Sequence, residues 1–286
     1  ERLSFEITEH VRYQPKEGPS ELNEAEDDQQ FIENSLKGAA NYVLNPQSYL
    51  MLGAGYQMRI WDDDDYGKGD RNNNYDELQA NGSFVRQLNA EVTQGILGVN
   101  YADLEYEGDR GGYESVTVFT GVDHLFNPDL TGYARAGASF VDVESETGEA
   151  DSTSPYFDAG LTLNPEGRTS IDIIGSLGYQ AYRSNNSLYN IQNRLNVGTS
   201  IRHDLTAKIT VAAAVSFIKG FYESDFATGE DTLPDAEDNY VSFNVRCSYQ
   251  VNRNNFVELG YEYEDRSSVV NEWDRSRIEA GWRVRL

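Results

Sequence analysis

One cysteine, Cys247, and three histidines are all the thiol and imidazole groups that the 286 residues offer, so the chain can close no internal disulfide and has no zinc ligand set. Basic residues are also scarce: 23 Lys and Arg stand against 48 Asp and Glu, a formal net charge of -25. Nucleic acid is bound through clustered Lys and Arg, so it is excluded as a partner, and an anionic headgroup surface is disfavoured on the same ground. No run approaches the roughly 20 apolar residues of a transmembrane helix; the most apolar stretch, Val211 to Val215, is five residues long. The segment Glu1 to Tyr13 lacks the continuous apolar region of a signal peptide, as a processed chain would. Mean hydropathy is -0.63, low for a fully buried core.

Aromatic residues are plentiful. With 19 Tyr, 12 Phe and 3 Trp, the sequence is unlike a disordered chain, which is poor in aromatic and β-branched residues. Apolar side chains recur at every second position, as in Leu3, Phe5 and Ile7, in Leu50, Leu52, Ala54, Tyr56, Met58 and Ile60, and in Ile278, Ala280, Trp282, Val284 and Leu286. That is the strand period, not the helix period.

Short turns fall at Asn45-Pro46-Gln47, near Asn89, at Asn127-Pro128-Asp129, at Asn164-Pro165-Glu166-Gly167, at His203-Asp204 and at Asn252 to Asn255, at intervals of 37 to 49 residues. All seven prolines are expected outside strand centres, because Pro cannot donate to a ladder. Between short turns lies a pair of alternating segments joined by a mostly longer, polar connection. About fourteen strands result, roughly 2-13, 31-44, 48-61, 75-88, 91-106, 113-126, 130-143, 156-163, 169-183, 188-202, 206-221, 240-251, 256-265 and 273-286.

A period near 40 also fits the blades of a β-propeller. Each period here holds two strands longer than the usual five or six residues, and the long connections lie on one side only. A single all-β domain over residues 1-286 is therefore expected, a transmembrane antiparallel up-and-down β-barrel. On the apolar parity, aromatics gather near both strand ends, with Tyr42, Phe84, Phe126, Tyr249 and Trp282 toward the short turns and Tyr13, Tyr101, Phe140, Tyr179, Phe217, Tyr261 and Tyr263 toward the long connections. Such two-ended placement is that of interfacial girdles.

The segment Asn255-Phe256-Val257-Glu258-Leu259-Gly260-Tyr261-Glu262-Tyr263-Glu264-Asp265-Arg266-Ser267-Ser268, followed by Trp273-Asp274-Arg275-Ser276-Arg277 and a final alternating strand, is similar to the C-terminus of the putative β-barrel porin 2 family. The resemblance implies a barrel in the outer membrane of a Gram-negative bacterium. Some members accompany exopolysaccharide synthesis and secretion machinery, which implies a saccharide or exported exopolysaccharide as solute and that machinery as partner.

Fourteen strands about 4.8 Å apart and tilted about 40° would enclose a backbone diameter of roughly 28 Å. The inward parity is polar, with Gln79, Asn81, Gln94, Asn100, Thr117, Ser139, Gln180, Asn196, Ser200, Ser216, Asn244 and Ser248. Its charges gather on the last strands: Arg194, Arg246, Arg277 and Arg283 against Glu258, Glu262 and Glu279, with Asp158 and Asp172 nearby. Two readings stand, a constriction whose transverse field selects solutes and a set of cross-strand ion pairs that neutralise one another. Inward Tyr133 and Tyr182 are the candidates for stacking on a sugar, while Trp61, Trp273 and Trp282 read first as interface anchors.

Connections 14-31, 62-74, 144-154 and 222-239 carry 6, 5, 4 and 7 acidic residues and 1, 2, 0 and 0 basic ones, so most of the net charge is expected on an outer rim. Such a rim is either a solvated surface or a site for divalent cations that bridge lipopolysaccharide phosphates. Asp62, Asp63, Asp64 and Asp65 hint at calcium, but counting from Asp62 puts Tyr66 and Asn73 at ligand positions five and twelve of an EF-hand, and the pattern fails. His203 in a turn, His124 on the lipid parity and His10 alone supply no base for a catalytic triad. No enzyme activity and no cofactor are expected. A hydrophilic solute channel follows, and its rival is a barrel closed by its own loops or interior ion pairs, serving as a surface-binding or assembly component of an envelope complex. The closed form requires Arg194, Arg246 and Arg277 to be met by carboxylates spanning the lumen.

Overall fold

The computed structural model describes residues 2–14, 31–61, 74–89, 92–107, 112–145, 148–181, 191–222, 236–268 and 272–284. Fourteen strands run in chain order through one sheet, each antiparallel to the next. They are β1 Leu3–Gln14, β2 Phe31–Asn45, β3 Ser48–Trp61, β4 Tyr75–Asn89, β5 Thr93–Tyr106, β6 Gly112–Asn127 and β7 Leu130–Ser145, then β8 Gly148–Leu163, β9 Thr169–Ala181, β10 Ile191–Thr206, β11 Ile209–Tyr222, β12 Ala236–Asn252, β13 Asn255–Ser268 and β14 Trp273–Val284. Among the described residues no helix is long and apolar enough to cross a membrane. β1 pairs with β2 and β14 with β13, and no rung joins β1 to β14 among the described residues, so the sheet is open along those two edges.

Ladder register fixes the two faces. On one lie the exposed apolar residues Phe5, Ile7, Leu52, Leu97, Val118, Ile173, Val215 and Leu259, and on the other the polar parity read from the sequence. Inverted exposure of this kind, with little apolar core, is what a sheet solvated by lipid on its outside requires. The girdle is visible in atomic contacts. Tyr56 donates to Asp76 at 2.8 Å and Tyr101 to Asp103 at 3.3 Å, so phenol bodies stay in the apolar band and their hydroxyls mark its border. Inside, large side chains fit because glycine faces them: the Phe119 ring lies where a Cβ on Gly98 would stand.

Several boundaries differ from the alternation pattern. β8 begins at Gly148 instead of 156, so 144-154 is mostly strand and not a long loop; Glu144 faces Glu149 and Asp142 faces Asp151 on the β7–β8 ladder. Polar residues form strand there because that hairpin rises past the apolar band, where no alternation is demanded. Pro155 lies inside β8, contrary to expectation. It is tolerated because the β8–β9 ladder ends at Phe157↔Leu177, leaving Pro155 with a single neighbour strand. The turn read at His203-Asp204 falls instead at Ala207 and Lys208; His203 is in β10, its Nδ1 2.8 Å from Thr169 Oγ1.

Candidate functional site

Inner-face charges come together by register, since each rung places side chains of one parity side by side. Glu262 stands opposite Arg277 on the β13–β14 ladder, and Arg277 Nη2 reaches Glu262 Oε2 at 2.6 Å while its Nε lies 3.0 Å from Glu279. Arg283 holds Glu258 through Nη2 at 2.8 Å. Arg246 on β12 approaches Glu279 on β14 at 3.6 Å across Gly260, its rung partner on β13, which offers no side chain to block the span. Six of the nine charged residues singled out from sequence thus meet on β12–β14, four in one network, Arg246, Glu279, Arg277 and Glu262, and two in a separate pair, Arg283 and Glu258.

The other three lie elsewhere on the wall. Asp158 belongs to a second cluster that sequence reading missed: Arg135 Nη1 is 3.5 Å from Asp158, Arg135 Nη2 is 3.8 Å from Asp123, and Tyr133 donates to Asp158 at 3.2 Å. Arg135 also lies over the Tyr133 ring, 4.9 Å from its centroid. Asp172 is held by hydroxyls, accepting from Thr162 at 2.7 Å and Ser200 at 3.5 Å. Arg194 shares its rungs with Gly178 and Gly220. Tyr182 and Asp62 to Asp65 lie outside the described residues.

Toward the long connections the inner wall carries tighter pairs. Arg266 grips Asp238 with Nη2 at 2.8 Å and Nε at 3.3 Å, both side chains about nine-tenths buried. Arg275 holds Glu264 at 2.5 Å, and Arg59 holds Glu33 at 2.6 Å with its guanidinium 4.4 Å from the Phe31 centroid. Trp273 turns inward, edge-on to Tyr240 at 6.4 Å, and so is not the lipid anchor expected of it. Its parity betrays it, since it shares a rung with inward Arg266. Trp282 does face outward, where its Nε1 donates to Asn255 at 3.0 Å. These pairs were missed because a charged residue on a polar face has many candidate partners until register chooses one.

The inner wall is therefore polar, and the ion pairs described close between side chains of the same sheet region. A carboxylate and guanidinium surface on one face and an exposed apolar band on the other is the two-faced pattern of a membrane β-barrel wall. Residues 150–286 match the family putative beta-barrel porin 2. The porin match runs from within β8 through β14 and contains the whole β12–β14 network. No curated protein matches the chain. Among solved structures, the FrpB iron transporter from Neisseria meningitidis (F5-1 variant) is similar with a TM-score of 0.60 and 11% identity, covering 93% of this chain and 50% of that one. Copper transporter OprC is similar at 0.53 and 8% identity, over 97% of this chain and 60% of that one. A mutant of the ferric enterobactin receptor PfeA from Pseudomonas aeruginosa is similar at 0.51 and 11% identity, over 93% and 49%. The chain spans about half the length of these structures, and the likeness is one of fold. The porin-like sheet is an outer-membrane β-barrel architecture of Gram-negative bacteria.

Proposed function

We propose that the protein is a passive, non-catalytic channel for hydrophilic solutes, with a saccharide or an exported exopolysaccharide as the solute class. The observation that carries the reading is the direction of the ion pairs. They run along the wall within β12–β14, and they leave the side chains of Arg246 and Arg283 59% and 56% exposed toward the inner space. A barrel sealed by its own charges would need carboxylates reaching Arg246 and Arg277 from an opposite wall, and the partners seen are Glu279 and Glu262 instead. Hydroxyl and amide side chains supply the remaining surface, as in Thr117 with Ser139 at 2.8 Å and Ser216 with Ser242 at 2.7 Å, groups that exchange readily for the hydroxyls of a sugar. Tyr133, on the inner parity, is held there between Arg135 and Asp158. Lipopolysaccharide is the proposed neighbour outside. Its support is a row of outward carboxylates on four successive strands, Asp103, Glu114, Asp142 and Asp151, one per strand on matched rungs, a pattern suited to divalent cations shared with lipid phosphates.

Planar-bilayer recording of the purified protein in potassium chloride tests the reading. Steady ohmic steps with cation preference and a sugar-dependent block are expected. Silence from a correctly folded sample overturns the open channel and leaves the closed, binding-type barrel.

A further inference from the structure

One row of rungs crosses the whole wall on its inner face. It starts at Trp273 on β14, passes Tyr240 on β12, Asp158 on β8 and Val85 on β4, and ends at Val43 on β2, whose amide donates to the Arg2 carbonyl at 2.8 Å at the foot of β1. Val43 lies two residues from the short-turn end of β2 at Asn45, and Tyr240 lies twelve from that of β12 at Asn252, so the row climbs ten residues over ten strands. At one residue per strand a circuit of fourteen strands climbs fourteen, and a shear equal to the strand number corresponds to a tilt of about 35°, within the range of outer-membrane barrels.

Carried on from Trp273 to β1, fourteen residues above Arg2, the row sets Phe5 opposite Val284 and Gln14 opposite Arg275, with the two strands antiparallel. Faces are kept, as an even shift requires. Outside, Phe5, Ile7 and Val11 meet Val284, Trp282 and Ile278, all more than half exposed, and Glu9 falls beside Ala280. Inside, Glu6 falls opposite Arg283 and His10 opposite Glu279. Glu6 and His10 are exposed, and the side chains of Arg283 and Glu279 stay 56% and 44% exposed after pairing with Glu258, Arg246 and Arg277. The one like-charge rung, Arg12 with Arg277, has Glu262 and Glu279 on one guanidinium and the Phe31 ring under the other. A shear smaller by two sets His10 and Arg12 against Arg277 and Arg275, and one larger by two sets Glu9 beside Trp282 and carries Glu6 past the end of β14.

We propose that β1 and β14 of one chain close on each other in this register, and that Glu6 and His10 thereby complete the charge site of β12–β14. Complementarity on both faces favours the chain's own edge as the partner: apolar meets apolar outside, and the carboxylate and imidazole of β1 meet a guanidinium and a carboxylate inside. Both strands are built as wall and not as edge, since neither carries Pro or Lys and neither ladder has a bulge. The closure stands apart from what the barrel carries, whereas a role of Glu6 in selecting ions rests on the channel reading.

The test uses the full chain with Cys247→Ser as background, folded in phosphatidylcholine vesicles and treated with a mild oxidant. Disulfides within one chain are expected for Glu6→Cys with Arg283→Cys, Thr8→Cys with Gly281→Cys and His10→Cys with Glu279→Cys. Each should form at least fivefold more than Thr8→Cys with Glu279→Cys or with Arg283→Cys, because diagonal neighbours stand too far apart for the bond. Gly281 takes a side chain freely, since a Cβ there meets nothing within 4 Å. Val11→Cys with Ile278→Cys repeats the measurement on the outer face without removing a charge. Preference for a shifted pair overturns the register. Bonds between isotopically heavy and light chains, or no bond in any pair of a folded sample, overturn closure of the chain on itself. In planar bilayers Glu6→Gln should lower the preference for potassium over chloride about twofold, and an unchanged reversal potential removes Glu6 from the site. Silence there would overturn the channel reading alone, with the seam still read from the disulfides.

Discussion

Arg277 bears on two carboxylates, Glu262 and Glu279, and its removal exposes both to the lumen. Arg277→Ala should therefore raise the preference for potassium over chloride by about twofold or more, and Glu258→Gln, which releases Arg283, should lower it, both read as reversal potentials in a salt gradient. Glycine sets the inner packing at the same scale. Because the Phe119 ring occupies the place of a Cβ on Gly98, Gly98→Val should cost about 1–3 kcal/mol in urea unfolding from vesicles. Neither contact could be read from sequence. Arg277 is legible as an inward charge, but the neighbour across the ladder depends on register, which one residue of slip would change entirely.

At the scale of the strand, the two faces predict opposite tolerance to charge. Leu97 on β5 faces lipid near mid-strand, and Leu97→Arg should destabilise by about 2–4 kcal/mol, measured by unfolding in vesicles. Asn244 on β12 shares a rung with Glu262 on the inner wall, so Asn244→Arg should fall well below that cost. Strand identities were legible because lipid outside and polar groups inside impose strict alternation over each apolar span, and thirteen of the fourteen starts fall within about four residues of the pattern. β8 was misplaced by eight residues at its start because it extends beyond the lipid, where Ser, Thr and Asp alternate with nothing.

For the whole molecule, open edges at β1 and β14 conflict with a hydrocarbon solvent, which leaves no partner for bare backbone groups. Amides of Leu3–Gln14 and Trp273–Val284 should thus exchange with deuterium in vesicles as slowly as those of β4 to β6, and fast exchange confined to these two strands would count against a closed wall in the membrane. The amino-acid order alone determined the number of strands, the two faces and the placement of aromatic belts, since each follows from a period of two and from turn residues acting over a few positions. Tertiary structure decided which charges pair, which rings lie over glycine, and where one ladder stops short. Those depend on residues tens of positions apart meeting across ladders, and the short β8–β9 seam in particular exists only because Pro155 and the rise of one hairpin remove rungs that alternation would have supplied.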